Sequence, residues 1–223
     1  MGERANLILV GPPGGGKGTQ AELLTQRLAV PHISTGDMLR EARAAGTELG
    51  RRAARYMDAG ELVPDEVIVR VALERLQADD CAPGFLLDGF PRTLPQAEAL
   101  EQALAEIGQE VTRAVDLEAD REEIVARLSQ RRVCRACQGI FSLRRGEIQE
   151  GDCCPSCGGE VYQREDDRPE VIRERLRVYE ELTAPLIAFY RERGKLLTVQ
   201  SEGTPAEVFE QVWAGLARAP DRS

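Results

Sequence analysis

The chain has 223 residues, 42% hydrophobic and 30% charged, a composition that fits one sizeable soluble domain with insertions. Its formal net charge of −9, from 29 Lys and Arg against 38 Asp and Glu, disfavours a nucleic-acid binder, whose affinity would rest on a net basic surface. No apolar run approaches the roughly 20 residues that cross a bilayer and the opening MGERANLILV is too short and too acidic for a signal peptide, so no membrane partner is expected and the expected location is the cytoplasm.

In chain order, the first predicted element is a strand at 7–10, followed at once by a glycine cluster and a helix over 17–29. A short strand is expected at 31–34, with His32 an ordinary packed side chain. Residues 34–63 read as two helices, with Thr35 as a cap, Gly46-Thr47 as the break and Gly60 at the end. Next come a helix at 65–77, a strand at 85–87 ending at Asp88, a helix at 95–107 and a strand at 113–117. A helix over 120–132 would place Arg127 and Arg131, four apart, on one face. Residues 133–163 hold glycines and cysteines and few helix signals. The last long helix begins near DDRPEVIRERL, with Pro169 in its first turn and Asp167 and Glu170 at capping-box spacing. Pro185 should interrupt it, Gly194 should end it, and a strand follows at 196–199. Strands alternating with helices argue for a parallel sheet covered on both faces. The segments 34–63 and 133–163 break the alternation and read as insertions at its edge.

Gly11-x-x-x-x-Gly16-Lys17 matches a P-loop up to its last position. Glycines let the backbone curl so that several N–H groups point inward, the helix that follows presents its N-terminal dipole, and the lysine adds a mobile charge. Gly18, not Ser or Thr, follows the lysine, and Thr19 comes next. The usual hydroxyl ligand for Mg²⁺ is thus shifted or absent. Asp88 is the candidate to hold Mg²⁺ through water, with a turn cap as its alternative.

Of six cysteines, four are spaced Cys134-x2-Cys137-x16-Cys154-x2-Cys157, a tetrahedral zinc signature. Four protein ligands leave no open position, so the site is expected to be structural. Cys81 and Cys153 remain outside it, and only Cys154 gives the x2 spacing.

GPPGGGKGTQ, ISTGDMLR, LLDGFPRT, RLSQRRVC and REDDRPEVIRERL, in that order, make the chain from about residue 5 to about 210 resemble an adenylate kinase. The resemblance implies reversible transfer from Mg-ATP to AMP, giving two ADP. It implies an α/β P-loop three-layer fold with a five-stranded parallel core at 1–33, 64–129 and 168–223, a small helical AMP-binding insertion at 34–63 and a zinc-binding lid at 130–167. Gly14, Gly15, Gly16, Lys17, Gly18 and Thr19 would wrap the ATP phosphates. Arg127 and Arg131 match the pair opening the lid on the ATP side, Ile140 and Phe141 match a lid segment over the ATP base, and Gln200 or, preferred here, Ser201 would meet that base. Thr35 and Arg40 would meet AMP, and Glu61, Leu62 and Val63 would line its adenine through their backbone. Gly89, Phe90, Pro91 and Arg92 would approach AMP, Arg92 at its phosphate, and Gln96 would read the adenine edge. Arg164 and Arg175 match arginines closing over the phosphates, and Asp166 and Asp167 match the acidic pair of the lid hinge. Lys17, Arg92, Arg131, Arg164 and Arg175 form the catalytic set. The cofactors implied are Mg²⁺ with ATP and one structural Zn²⁺, and the partners are ATP, AMP and ADP. The family is mostly monomeric at this size.

The chemistry accounts for these residue types. Phosphoryl transfer asks for alignment and positive charge rather than covalent work. ATP and AMP bring about six negative charges, of which one Mg²⁺ cancels two. Arginine forks bind two phosphate oxygens at once and stay protonated. An AMP phosphate oxygen is already an ionised nucleophile, so no general base is called for. Two alternatives stand beside this reading. One is a kinase for UMP, CMP or GMP, against which the long lid and Gln96 speak. The other is a zinc-ribbon P-loop ATPase that binds nucleic acid, against which stand the −9 charge and 4% aromatics.

Overall fold

The computed structural model describes residues 4–218; the expected core segments therefore reach beyond it at 1–3 and 219–223. The chain enters as β1 (Ala5–Val10), whose Leu7 and Leu9 face one side of the sheet and Ile8 and Val10 the other, all buried. A strand buried on both faces has no polar side, which is why LILV is continuous rather than alternating. α1 (Lys17–Leu28) packs on the first face, and β2 (His32–Ser34) returns to the sheet edge.

α2 (Thr35–Ala44) and α3 (Glu48–Ala59) form the expected helical pair. Ser34, not Thr35, caps α2, its hydroxyl accepting from Asp37 N at 3.2 Å. Thr35 already lies in the first turn and donates instead to Gly89 O at 2.8 Å. The two helices cross so closely at Gly50 that a β-carbon there would lie 2.2 Å from the Ala42 carbonyl. Gly60 ends α3 in the left-handed region, φ 77°.

α4 (Asp65–Leu76), β3 (Gly84–Asp88), α5 (Leu94–Glu106), β4 (Arg113–Glu118) and α6 (Arg121–Ser129) follow. α6 is shorter than expected and does not reach Arg131, which pairs with Ser142 at the start of a second sheet. That three-stranded antiparallel sheet comprises β5 (Arg131–Cys134), β6 (Ile140–Ser142) and β7 (Val161–Tyr162). Strand pairing here overrides the local helical pattern, so Arg127 and Arg131 share no helical face.

α7 (Pro169–Val178) starts after Arg168 with no side-chain cap. The expected capping box is absent because the Asp167 carboxylate is turned to Arg131 and Arg175. A π-helical turn over Tyr179–Thr183 separates α7 from α8 (Pro185–Glu192). Pro185 has no N–H to give, and the turn widens so that Ala184 N reaches Tyr179 O at 2.8 Å. β8 (Leu196–Gln200) closes the sheet. α9 (Pro205–Leu216) follows, a helix missed in the sequence reading although Thr204 and Glu207 make a complete capping box.

Among the described residues the main sheet is five-stranded and all parallel, in the order β2-β3-β1-β4-β8. The α/β fold class is as expected. α2 to α5 and α8 cover one face, and α1 and α9 the other. The chain order reverses at β1, and the carboxyl ends of β1, β3 and β4 lie level, Leu9 beside Asp88 and Val10 beside Asp116. Such a switch point is where an open α/β sheet leaves a crevice. No helix among the described residues is long and apolar enough to cross a membrane.

Candidate active site

The crevice at the switch point is a cavity of about 580 Å³. The loop after β1 forms its floor. Gly11 must be glycine: its φ is 138°, and a β-carbon would sit 2.6 Å from Leu117 O. Lys17 folds back so that its Nζ donates to Gly11 O and Pro12 O at 2.7 and 2.8 Å. Burial pulls its pKa down to about 8, with Asp88 opposing and Arg92, Arg175 and Arg131 adding to the fall.

Arginines close the cavity from five other segments. Arg131 makes a two-point pair with Asp167, Nε to Oδ2 at 2.8 Å and Nη2 to Oδ1 at 2.6 Å. Arg175, from α7, holds Asp166 and Asp167 at 3.1 and 3.2 Å. Asp37 takes Arg40 at 2.5 Å and Arg164, from past β7, at 3.7 Å. Arg92 donates Nε to Gly89 O at 2.8 Å, while Thr183 anchors the Arg92 carbonyl at 2.9 Å. Burial brings Arg92 down to about 10, assisted by Arg175, and brings Arg164 to about 10, assisted by Arg40 and Arg131. In Arg131 burial opposes the charge and Asp167 outweighs it. The balance is six cations, Lys17, Arg40, Arg92, Arg131, Arg164 and Arg175, against four carboxylates, Asp37, Asp88, Asp166 and Asp167. A protein of net charge −9 thus holds an excess of buried positive charge at one place.

Most of the residues singled out in the sequence meet here. Gly14, Gly16, Lys17, Gly18, Thr19, Asp88, Arg127, Arg131, Ile140, Phe141, Arg164, Arg175 and Ser201 line the large cavity, as do Arg40, Leu62, Gly89, Pro91 and Arg92. A smaller recess of about 80 Å³ adds Thr35, Glu61, Val63 and Gln96. Gly15 and Phe90 line neither; Gly15 N donates to Pro12 O at 3.0 Å and Phe90 is buried in the core. Gln200 is exposed and bonds Glu118 at 2.5 Å. Gln96 accepts from Arg92 N at 2.7 Å and donates to Asp65 Oδ1 at 2.6 Å, leaving one amide N–H and one oxygen lone pair uncommitted.

Other functional groups were overlooked in the sequence. His32 is not a plain packed side chain: its Nε2 lies 3.4 Å from Asp88 Oδ2. Burial works against charge on both, yet their pairing raises the His32 pKa, and Asp88 is lowered by His32 and Lys17. Asp37 could have been found from its spacing to Arg40, three along a helix. Asp65 and Asp116 give no local signal. Asp116 is fully buried, neither of its oxygens has a partner, and burial, then Glu118, pushes its pKa up to about 6.

Cys134, Cys137, Cys154 and Cys157 lie beside the cavity's cover, their sulfurs all within 4.8 Å of one another. The pairs Cys134–Cys157 and Cys137–Cys154 are 3.5 and 3.6 Å apart. A zinc tetrahedron with bonds of about 2.3 Å has edges of about 3.8 Å, so the donor set fits such an ion. Each half repeats one turn: Cys134 N donates to Gly139 O at 3.0 Å, and Cys154 N to Gly159 O at 2.8 Å. A β-carbon on Gly159 would press within 3.0 Å of Cys134 Sγ. The Cys137 N–H lowers the Cys134 pKa; burial opposes the same effect at Cys154, yet N–H groups of Ser156 and Cys157 bring it to about 6. For Mg²⁺, the fit is one ionised carboxylate, Asp88, at the cavity wall beside Lys17.

Comparison with known proteins gives one consistent result. A family model described as adenylate kinase matches residues 9–195. A protein named adenylate kinase from Archaeoglobus fulgidus is 51% identical over 208 residues, covering 93% of this chain and 94% of its own. Others of that name, from Caldicellulosiruptor saccharolyticus and Syntrophotalea carbinolica, are 47% and 49% identical, each over 94% of this chain and 98% and 97% of their own.

Proposed function

The chain belongs to the adenylate kinase family, and from that premise we propose which of its residues carry the reversible transfer of the terminal phosphoryl group of ATP to AMP. The observation that carries the assignment is the surplus of buried cations around the loop after β1. Nucleotide phosphates supply the anions this cluster lacks.

On this reading Gly14 to Thr19 cradle the ATP phosphates and Lys17 leaves its two carbonyls to meet the transferred group. Arg92 and Arg40 hold the AMP phosphate, and Arg131, Arg164 and Arg175 surround the phosphoryl in flight. Fixed cations in a dry cavity are worth far more than in water and need no reorganisation as charge moves. Thr35, Glu61, Leu62, Val63 and Gln96 form the AMP base recess, with Gly89 to Pro91 approaching AMP. Arg127, Ile140, Phe141 and Ser201 form the ATP base pocket. Mg²⁺, when bound, neutralises phosphate charge, and Asp88 would hold its water shell.

Residues 34–63 are proposed as the AMP-binding insertion, 130–167 as the lid, and the rest as the core. Closure of both excludes water, so ATP hydrolysis without AMP should be negligible. The four cysteines are proposed to hold one structural zinc that orders a lid with little apolar core of its own. The exposed large apolar residues, such as Leu94, Ile107 and Leu182, are single and scattered, which supports a monomer. Free cysteines support a reducing compartment, the cytoplasm. The net charge supports no nucleic-acid partner.

The test mixes purified protein with Mg-ATP and each of AMP, GMP, CMP and UMP, following nucleotides by chromatography. ADP formation with AMP alone, reversed from ADP, is expected. Equal use of another acceptor would remove Gln96 and its neighbours from the selectivity assignment. Substantial ADP release without any acceptor would count against closure as the safeguard.

A further inference from the structure

Glu123 lies on α6, one turn before Arg127, and both of its oxygens are taken by arginines. Oε1 accepts from Arg127 Nε at 2.9 Å and Oε2 from Arg144 Nη1 at 2.7 Å. Arg144 stands two residues past β6, in the segment assigned to the lid. Arg127 is held on its other edge as well, Nη1 donating to Ser201 Oγ at 3.2 Å and Nη2 to Ser201 O at 2.5 Å. Every one of these bonds lies at the rim of a planar guanidinium and takes up neither of its flat faces. Arg127 lines the large cavity together with Ile140 and Phe141. A free guanidinium face beside an apolar wall is a stacking surface for a purine.

We propose that Glu123 is a positioning residue for the donor purine: it fixes the plane of Arg127 and ties that plane to Arg144, so the base clamp is complete only when the lid is down. The inference rests on the reading of Arg127, Ile140 and Phe141 as the ATP base pocket. The carboxylate also separates two cations that would otherwise repel. Arg144 is half exposed, and a pair of that kind has a modest, salt-sensitive worth.

The test is steady-state kinetics with ATP and AMP varied separately, on Glu123→Gln, Arg144→Gln, the double variant and Arg127→Ala. Thermal melting checks that each folds, and Arg144→Gln carries the test if Glu123→Gln does not. Glu123→Gln is expected to raise KM for ATP about three- to fivefold and to leave KM for AMP within about twofold. Arg144→Gln should give part of that rise. The double variant should be no worse than Glu123→Gln alone, since both remove one network. The gap from the unaltered enzyme should narrow in high salt. Equal rises in both KM values, additive effects, or an unchanged KM for ATP would overturn the proposal. If Arg127→Ala also leaves KM for ATP unchanged, the base-pocket reading falls with it. If Arg127→Ala raises it and the other two do not, the proposal falls alone.

Discussion

Two polar clusters lie close together in this molecule, and their charges are unbalanced in opposite directions. The cleft gathers Lys17 and five arginines from separate segments and opposes them with four carboxylates. The cysteine cluster gathers four sulfurs from one short stretch, with backbone N–H groups favouring the thiolate at Cys134 and Cys154. One lacks anions, the other a cation. The local cluster, built from two matching turns of one stretch, suits a permanent occupant. The dispersed cluster exists only while separate segments are held together, which under the proposed function suits an occupant that leaves every cycle.

Removing charge from either side should expose the contrast. Lys17→Met is expected to lower kcat about 10³-fold while the protein still folds, as read by a coupled ADP assay and thermal melting. A fall below about tenfold would take Lys17 out of the transfer step. Asp167→Ala acts on the opposing side and leaves Arg131 and Arg175 without their shared carboxylate. Stability should drop by about 3–5 kcal/mol in urea titration, and an unchanged midpoint would mean that the cluster tolerates further positive charge. Cys154→Ser should lower the melting temperature by about 5–10 °C, or about 2–3 kcal/mol for a chain of this size. Metal analysis should find about one zinc per chain in the unaltered protein and much less in the variant. No zinc, with four titratable thiols, would end the contrast.

Asp116 sharpens it further, as a buried carboxylate near Lys17 that pairs with none of the cations. Its folded pKa is raised from 3.8 to about 6, so the folded state binds the proton more tightly than the unfolded. Stability is therefore lost as pH rises from about 4 to about 6, and stays lost above. Asp116→Asn should gain about 3 kcal/mol at pH 7 and nothing at pH 3. An equal gain at both pH values would assign the effect to packing.

The glycine loop, the grouping of the four cysteines and the strand–helix alternation were legible because each is a local pattern with one physical cause. LILV before the glycines is a strand buried on both faces, and it is found there. The end of α6 was misread because strand pairing at Arg131 is not a local property. His32 gave no warning of Asp88, since the two meet only where β2 lies beside β3. Asp167 fitted a capping box by spacing, but two arginines compete for the same carboxylate, and a charged partner outweighs a backbone N–H. The start of α9 is by contrast local, its capping box written in TPAE.

The sheet order has a consequence in time. β4 pairs with β8, Ala114 beside Leu196 through Glu118 beside Gln200, and α9 packs over the same face as α1. Everything between those strands, the second sheet and α7 and α8 included, must be synthesised before that edge can close. Until then Val115 and Leu117, buried in the finished protein, have no β8 or α9 against them. A ribosome making this chain therefore holds a half-covered parallel sheet until residues 196–216 have been made, and one face of the core is completed only then.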